Sequence, residues 1–146
     1  MNKVYLILAT LSVSPFYIGC SGGKSAEVHY NIGHRHWLVG KNEEAVTELK
    51  KAIELDPNYV DAYIDLAVAH CQLGKHRDAI SYCNKALQLK PDTAYVYEIL
   101  AGASYYIGQE QDAEIYWSKA EEIYKQQGDI RGANTVKESL HRFKKQ

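Results

Sequence analysis

The feature that most constrains the fold is a sequence repeat with a period of 34 residues. Seven columns of chemically similar residues recur at this step. They are Gly40, Gly74 and Gly108; Ala45, Ala79 and Ala113; Ala52, Ala86 and Ala120; Gly33, Ala67 and Ala101; Glu44, Asp78 and Asp112; Leu55, Leu89 and Ile123; and Pro57 with Pro91. One column could arise by chance, but seven in phase indicate an array of stacked structural units.

The columns also indicate what each unit is. A recurrent glycine marks a chain reversal, and the small residues at the Gly33 and Ala45 columns allow two helices to approach closely. Pro57 and Pro91 prevent a helix from running on into the next unit. Apolar residues spaced by three and four form one helical face, as at Ala79, Ile80, Cys83, Ala86 and Leu87. Each unit is therefore predicted to be a helical hairpin.

This pattern resembles the tetratricopeptide repeat (TPR) over residues 26–127, with copies at 26–59, 60–93 and 94–127. The aromatic that the family favours in the first helix is matched by Tyr63 and Tyr97, and its leucine by Leu66 and Leu100. Copy one departs from this pattern, with His29 at the aromatic position and Ile32 at the leucine position. The family also commonly has an aromatic residue one turn further on, where this chain has His36, His70 and Ser104. The resemblance implies an all-α superhelical array of three TPR hairpins.

A further helix is predicted after the third copy. Asp129 follows Gln127 and Gly128 as a candidate helix cap. The apolar stripe behind it consists of Ile130, Ala133, Val136 (or Lys137), Leu140 and Phe143, and basic residues at 137, 142, 144 and 145 form a solvated face. Repeat arrays need a terminal cap, so residues 128–146 are predicted to be a capping helix. This gives seven helices and no strands.

The first nineteen residues are predicted to be a signal peptide. Lys3 precedes an apolar stretch over residues 4–18, which is too short for a membrane span of about 20 residues. Gly19 then precedes Cys20, and residues 20–25 form a flexible linker. The segment resembles a bacterial lipoprotein signal, although Tyr17 departs from that pattern. A plain secretory signal and an uncleaved anchor are the alternatives.

The lipoprotein resemblance implies a location and an anchor. Cys20 is the residue that would carry the lipid, and Ser21 stands where an Asp would signal inner-membrane retention. The resemblance therefore implies the bacterial cell envelope, with the chain held at the outer membrane and the array in the periplasm.

The TPR resemblance implies a concave groove lined by the first helix of each copy. Its predicted partner-binding residues are Tyr30, Asn31, His34, Trp37, Ile64, Asp65, Val68, Tyr95, Glu98 and Tyr105, with Glu27, Asp61, Cys71, Ile99 and Gly102 also left free by the packing pattern. The set contains no Lys or Arg, so it does not match the carboxylate clamp of chaperone-binding family members. A protein or peptide partner with apolar and basic residues is expected. The alternative for Trp37 and Tyr105 is packing against the neighbouring hairpin.

Other chemistries find little support in the sequence. A net charge of −1 does not indicate a nucleic-acid partner. His34 and His36 lie on opposite sides of a helix, so they cannot hold one metal ion together. Cys71 is expected to face the groove and Cys83 the packing face, which disfavours a disulfide between them. No catalytic arrangement and no cofactor motif stand out. The favoured function is an interaction scaffold, such as those of pilus, secretion or cell-wall assemblies. One alternative is a metal-binding or enzymatic periplasmic protein that uses the His and Cys residues, and the other is a structural spacer.

Overall fold

The computed structural model describes residues 25–144, which form seven α-helices and no β-strand. The helices are α1 (Ala26–Leu38), α2 (Asn42–Leu55), α3 (Val60–Gln72), α4 (His76–Leu89), α5 (Ala94–Tyr106), α6 (Glu110–Gln126) and α7 (Ile130–Phe143). The predicted signal peptide and the lipidation site at Cys20 lie outside the described residues. Within residues 25–144, no helix is both long and apolar enough to cross a membrane.

The helices form three hairpins in succession, α1 with α2, α3 with α4 and α5 with α6, and α7 packs against α6. Each hairpin also packs against the next through α2 with α3 and α4 with α5. The first helices contact one another, α1 with α3 and α3 with α5, and so form a continuous inner layer. The prediction of an all-α superhelical array with a terminal helix is confirmed.

The predicted small-residue columns lie where paired helices meet. A Cβ atom on Gly33 would lie 2.7 Å from Cγ of Leu49 and 3.1 Å from the carbonyl oxygen of Ala45. Ala67 and Ala101, the equivalents of Gly33, are fully buried. Larger side chains in this column would separate the two helices of each hairpin.

The glycine column ends the first helix of each hairpin. Gly40 has a φ of +75°, and its N–H donates to the carbonyl of Trp37 at 2.9 Å. The same turn recurs at Gly74 and Gly108. An L side chain is strained at this φ, so the turn requires glycine.

The terminal helix begins at the predicted cap. Oδ1 of Asp129 accepts a hydrogen bond from the N–H of Gly132 at 2.9 Å. Ala133 and Val136 are buried, so Val136 rather than Lys137 belongs to the apolar stripe. The prediction was wrong for Ile130, which is 66% exposed. As the first residue of α7, it lies beyond the face that packs on α6.

Candidate partner-binding groove

The concave groove is the exposed face of the inner layer formed by α1, α3 and α5. All ten predicted partner-binding residues lie on these three helices, and each retains solvent-accessible surface. Asn31, Tyr95 and Tyr105 are exposed, and the other seven are half-buried. The groove divides into an aromatic and acidic end at α1, a cavity between α3 and α5, and an aromatic end near α7.

Aromatic rings cover the α1 end of the groove. The ring of Tyr30 lies 4.9 Å from that of Tyr59 and 5.7 Å from that of His34, centroid to centroid. Trp37 continues the row at 5.4 Å from His34. Trp37 also packs against the buried cluster formed by α2 and α3 residues, and it is half-buried. Tyr59 was missed from sequence because it lies in the turn before α3, not on a first helix.

A hydrogen-bonded pair of side chains, His34 and Asp65, joins α1 to α3 at this end. Nδ1 of His34 lies 2.7 Å from Oδ2 of Asp65, whose side chain is 13% exposed. Burial raises the pKa of Asp65, and the hydrogen bond with His34 opposes that rise. Burial and the nearby carboxylates of Asp65 and Asp61 raise the pKa of Tyr30 to about 12. The Tyr30 phenol is therefore neutral and able to donate a hydrogen bond.

A cavity of about 420 Å³ opens between α3 and α5. It is lined by Val68, Cys71, Gln72, Gly74, His76, Tyr95, Ile99, Gly102, Ala103 and Tyr106. The lining is mainly apolar or aromatic. Its rim includes the stacked rings of His76 and Tyr106, whose centroids are 4.7 Å apart. Burial raises the pKa of the Cys71 thiol, which favours the protonated, weakly nucleophilic form.

A second cavity of about 310 Å³ lies at the α7 end of the groove. It is lined by Gly102, Tyr105, Tyr106, Trp117, Ser139, Arg142 and Phe143. Tyr105 contacts Phe143 edge-to-face at 5.8 Å, and Trp117 lies 5.4 Å from the same ring. Tyr105 thus packs against the neighbouring helices and remains 36% exposed. The sequence pattern placed Phe143 on the cap stripe and gave no sign of this cluster.

Glu98 is held by the second helix of its own hairpin. Its Oε1 accepts a hydrogen bond from the Tyr124 hydroxyl at 2.5 Å. This bond fixes the Glu98 carboxylate, and burial together with the hydrogen bond raises the pKa of Tyr124. Glu98 therefore contributes a positioned negative charge to the groove.

The contacts of the described His and Cys residues bear on the alternative of a metal-binding or enzymatic protein. His29 lies 2.6 Å from Glu48 between α1 and α2, and Nδ1 of His70 lies 2.8 Å from the carbonyl oxygen of Leu66. Cys71 and Cys83 are both free thiols. Within the part of the chain that the structure describes, no three His, Cys, Asp or Glu side chains are grouped as metal ligands would be.

Sequence profiles identify repeats in the centre of the chain. A TPR repeat profile matches residues 38–74, and a tetratricopeptide repeat profile matches residues 60–93. The chain therefore contains tetratricopeptide repeats, in agreement with the prediction. A sequence comparison with curated proteins found no match.

Solved structures share the fold. A crystal structure of MamA has 28% sequence identity and a TM-score of 0.69, over 73% of this chain and 62% of MamA. The chain thus spans about three fifths of the MamA structure. The first TPR of Spaghetti (RPAP3), bound to the HSP90 peptide SRMEEVD, has 21% identity and a TM-score of 0.72, over 83% of this chain and 91% of that one. The TPR2B domain of yeast Sti1, in a complex with pHsp70, has 20% identity and a TM-score of 0.78, over 82% and 96%. The molecule is a TPR superhelix.

Proposed function

We propose that this protein is a non-enzymatic interaction module that holds a segment of a partner protein in its concave groove. The observation that carries the proposal is the row of accessible aromatic and apolar side chains across α1, α3 and α5, with two cavities along it. Aromatic anchors and the pockets beside them supply most of the binding energy at protein interfaces. The peptide and protein complexes of the RPAP3 and Sti1 domains support this use of the fold.

The charge of the groove favours a different ligand from that of the RPAP3 domain. The peptide SRMEEVD carries three acidic side chains. In this protein α3 and α5 carry Asp61, Asp65 and Glu98 and no Lys or Arg. An acidic segment would be repelled there, because like charges oppose association. A partner segment without a cluster of acids is therefore expected.

The lipoprotein-type signal supports a place for this module in the bacterial envelope. Lipid on Cys20 would hold the chain at a membrane, since two or more acyl chains anchor a protein firmly. Ser21, which stands where an Asp would signal inner-membrane retention, supports an outer-membrane location with the array in the periplasm. There it would serve as a scaffold in a pilus, secretion or cell-wall assembly.

The groove is tested by crosslinking in cells, followed by purification of the protein with its partners. The test variant carries Tyr30→Ala, Ile64→Ala and Tyr105→Ala. The matched control carries Leu55→Ala, Ile115→Ala and Ile130→Ala, at exposed apolar residues outside the groove. Circular dichroism checks that both remain helical. Loss of a specific envelope partner in the test variant alone supports the proposal, and equal capture by both variants contradicts it.

The anchor is tested by the intact mass of the mature protein. Lipidation predicts a mature N-terminus at Cys20 carrying acyl chains and recovery in the membrane fraction. Cys20→Ser should abolish both while leaving the groove able to bind its partner. An unmodified N-terminus on the mature protein would contradict the anchor without affecting the groove proposal.

A further inference from the structure

We propose that the partner segment seats a bulky apolar side chain over Gly102 and presents a basic side chain to Asp61 and Asp65. This inference rests on the proposed function, because it specifies the segment that the groove recognises. It follows from the position of one glycine, from the two cavities beside it and from the charge along α3 and α5.

Gly102 is the one glycine in the described part of the chain that neither backbone conformation nor helix packing requires. Among residues 25–144, four glycines have positive φ values and serve turns, and a Cβ on Gly33 or Gly132 would collide with Leu49 or Tyr124. Gly102 lies inside α5, and a Cβ there would meet nothing within 4 Å. A glycine inside a helix is less favourable than alanine by about 1 kcal/mol. Neither backbone conformation nor packing explains why the chain accepts this lower helix stability, whereas open space for a ligand does.

Gly102 also connects the two cavities. It lines the 420 Å³ cavity between α3 and α5 and the 310 Å³ cavity at the α7 end. The equivalent positions in the other copies are His34 and Val68, whose side chains occupy the groove surface. At Gly102 the missing side chain leaves a recess that borders both cavities, of which the first is lined by Tyr95 and Tyr106 and the second by Tyr105 and Tyr106. A large apolar side chain from a partner would fill this recess and contact the three rings.

The charge next to the recess is negative. Asp61 and Asp65 lie on α3, and Asp65 acts electrostatically on Tyr30 of α1 and on Tyr95 of α5. Asp65 is paired with His34, whereas Asp61 is exposed. Burial raises the pKa of the Tyr30 and Tyr59 phenols, and both phenols lie close enough to Asp61 and Asp65 for these carboxylates to raise the pKa further. Aromatic faces and carboxylates together attract a Lys or Arg side chain.

One continuous partner segment can reach both the recess at Gly102 and the acidic residues of α3. Asp61 and Val68 are seven residues apart on α3, which is about 10 Å along a helix. Arg142 lies at the far end, beyond Gly102, in the second cavity. The groove therefore carries acids at Asp61, Asp65 and Glu98, an apolar recess at Gly102 and a basic residue at Arg142. This arrangement complements a segment with a basic residue, then a bulky apolar residue, then a hydrogen-bond acceptor or acid.

The test is a selection of displayed random peptides on the protein purified from cells expressing the full chain, followed by affinity measurements on synthetic copies of the enriched peptides. Gly102→Leu fills the recess, and Gly102→Ala is the matched control that leaves most of it open. Asp61→Asn removes the exposed charge. We expect enrichment of peptides that pair Lys or Arg with Trp, Phe, Leu or Met. Gly102→Leu should weaken them at least about tenfold, and Gly102→Ala less than about threefold.

Two further readouts identify the site. Asp61→Asn should weaken the same peptides and reduce the salt dependence of their affinity. Bound peptide should slow alkylation of Cys71, because this thiol lines the 420 Å³ cavity beside Gly102. The inference would be overturned if the enriched peptides lacked Lys and Arg, or if they bound Gly102→Leu as tightly as the native protein. It would also be overturned if no peptide were enriched.

The triple variant Tyr30→Ala, Ile64→Ala, Tyr105→Ala separates the two proposals. Enriched peptides that lack the basic and apolar pattern but lose affinity for the triple variant would overturn this inference and leave the groove as the binding surface. Peptides with unchanged affinity for the triple variant would overturn the groove proposal as well.

Discussion

Nδ1 of His34 lies 2.7 Å from Oδ2 of Asp65 and so links the first helices of two successive hairpins. The link is formed between side chains 31 residues apart, on the face where a ligand is expected. It fixes the spacing of α1 and α3 at the acidic end of the groove. The pair thus connects the stability of the array with the shape of its binding surface.

We predict a measurable coupling between these two side chains. His34→Ala and Asp65→Ala should each destabilise the protein, and the double variant should lose less than the sum. The coupling energy should be about 1 kcal/mol, since the pair is only partly exposed. Urea denaturation of the three variants and the native protein measures it. Asn31→Ala, an exposed change on the same helix, should shift stability by less than about 0.5 kcal/mol.

A second prediction concerns acid stability and Glu48. Its Oε1 lies 2.7 Å from Nζ of Lys51 and its Oε2 lies 2.6 Å from Nδ1 of His29. The hydrogen bonds from Lys51 and then His29 lower the pKa of Glu48 to about 2, from an ordinary value of 4.5. A lowered folded-state pKa stabilises the protein above the ordinary value, and this stability is lost as the pH falls towards the folded-state value.

The free energy of unfolding should therefore fall between pH 4.5 and about 2. Glu48→Gln should remove about 1 kcal/mol of stability at neutral pH and flatten this part of the profile. Lys51→Met removes the largest contribution alone and should give an intermediate slope. Denaturant titrations across this pH range check the prediction, and parallel profiles for Glu48→Gln and the native protein would contradict it.

The repeat made most of the fold predictable. The recurrence of Gly40, Gly74 and Gly108 locates the turns, and the small-residue columns locate the helix contacts, because one physical requirement acts at every copy. The assignment of the groove to the first helix of each hairpin follows from the resemblance to the tetratricopeptide repeat. These features lie within one hairpin and recur in every copy, so a single sequence is enough to reveal them.

The details of the site were less predictable because they depend on contacts between different copies. Tyr59 joins the groove from a turn, and Trp117 and Phe143 meet Tyr105 from α6 and α7. No periodic pattern marks Tyr59 or Trp117, and the apolar stripe that includes Phe143 does not indicate its contact with Tyr105. The significance of Gly102 was also hidden, since only the structure shows that a side chain there would meet no neighbour.

A third prediction concerns the two described thiols. Cys83 is fully buried, and its pKa is raised mainly by this burial and further by the proximity of Cys71. Cys71 is half-buried and lines the 420 Å³ cavity. Iodoacetamide should therefore modify Cys71 slowly and Cys83 only when the protein unfolds. Peptide mapping by mass spectrometry, with and without denaturant, distinguishes the sites. Equal labelling of both thiols in the native protein would contradict the placement of Cys83 in the core.

The final prediction is that one substitution, glycine to alanine, has opposite effects at Gly33 and Gly102. Both glycines lie inside first helices, so alanine improves the intrinsic helix propensity at each by about 1 kcal/mol. At Gly33 the new Cβ would lie 2.7 Å from Cγ of the fully buried Leu49. Relieving this overlap should separate α1 from α2 and give a net destabilisation of about 1–3 kcal/mol.

At Gly102 the new Cβ meets nothing within 4 Å, so the gain in helix propensity should appear as stabilisation of up to about 1 kcal/mol. Thermal and urea denaturation of the two variants measure both changes under the same conditions. A destabilised Gly102→Ala variant would mean that this position is packed, and the recess would then be unable to receive a partner. A stabilised variant would mean that the native sequence keeps glycine there at a loss of stability, as a binding recess requires.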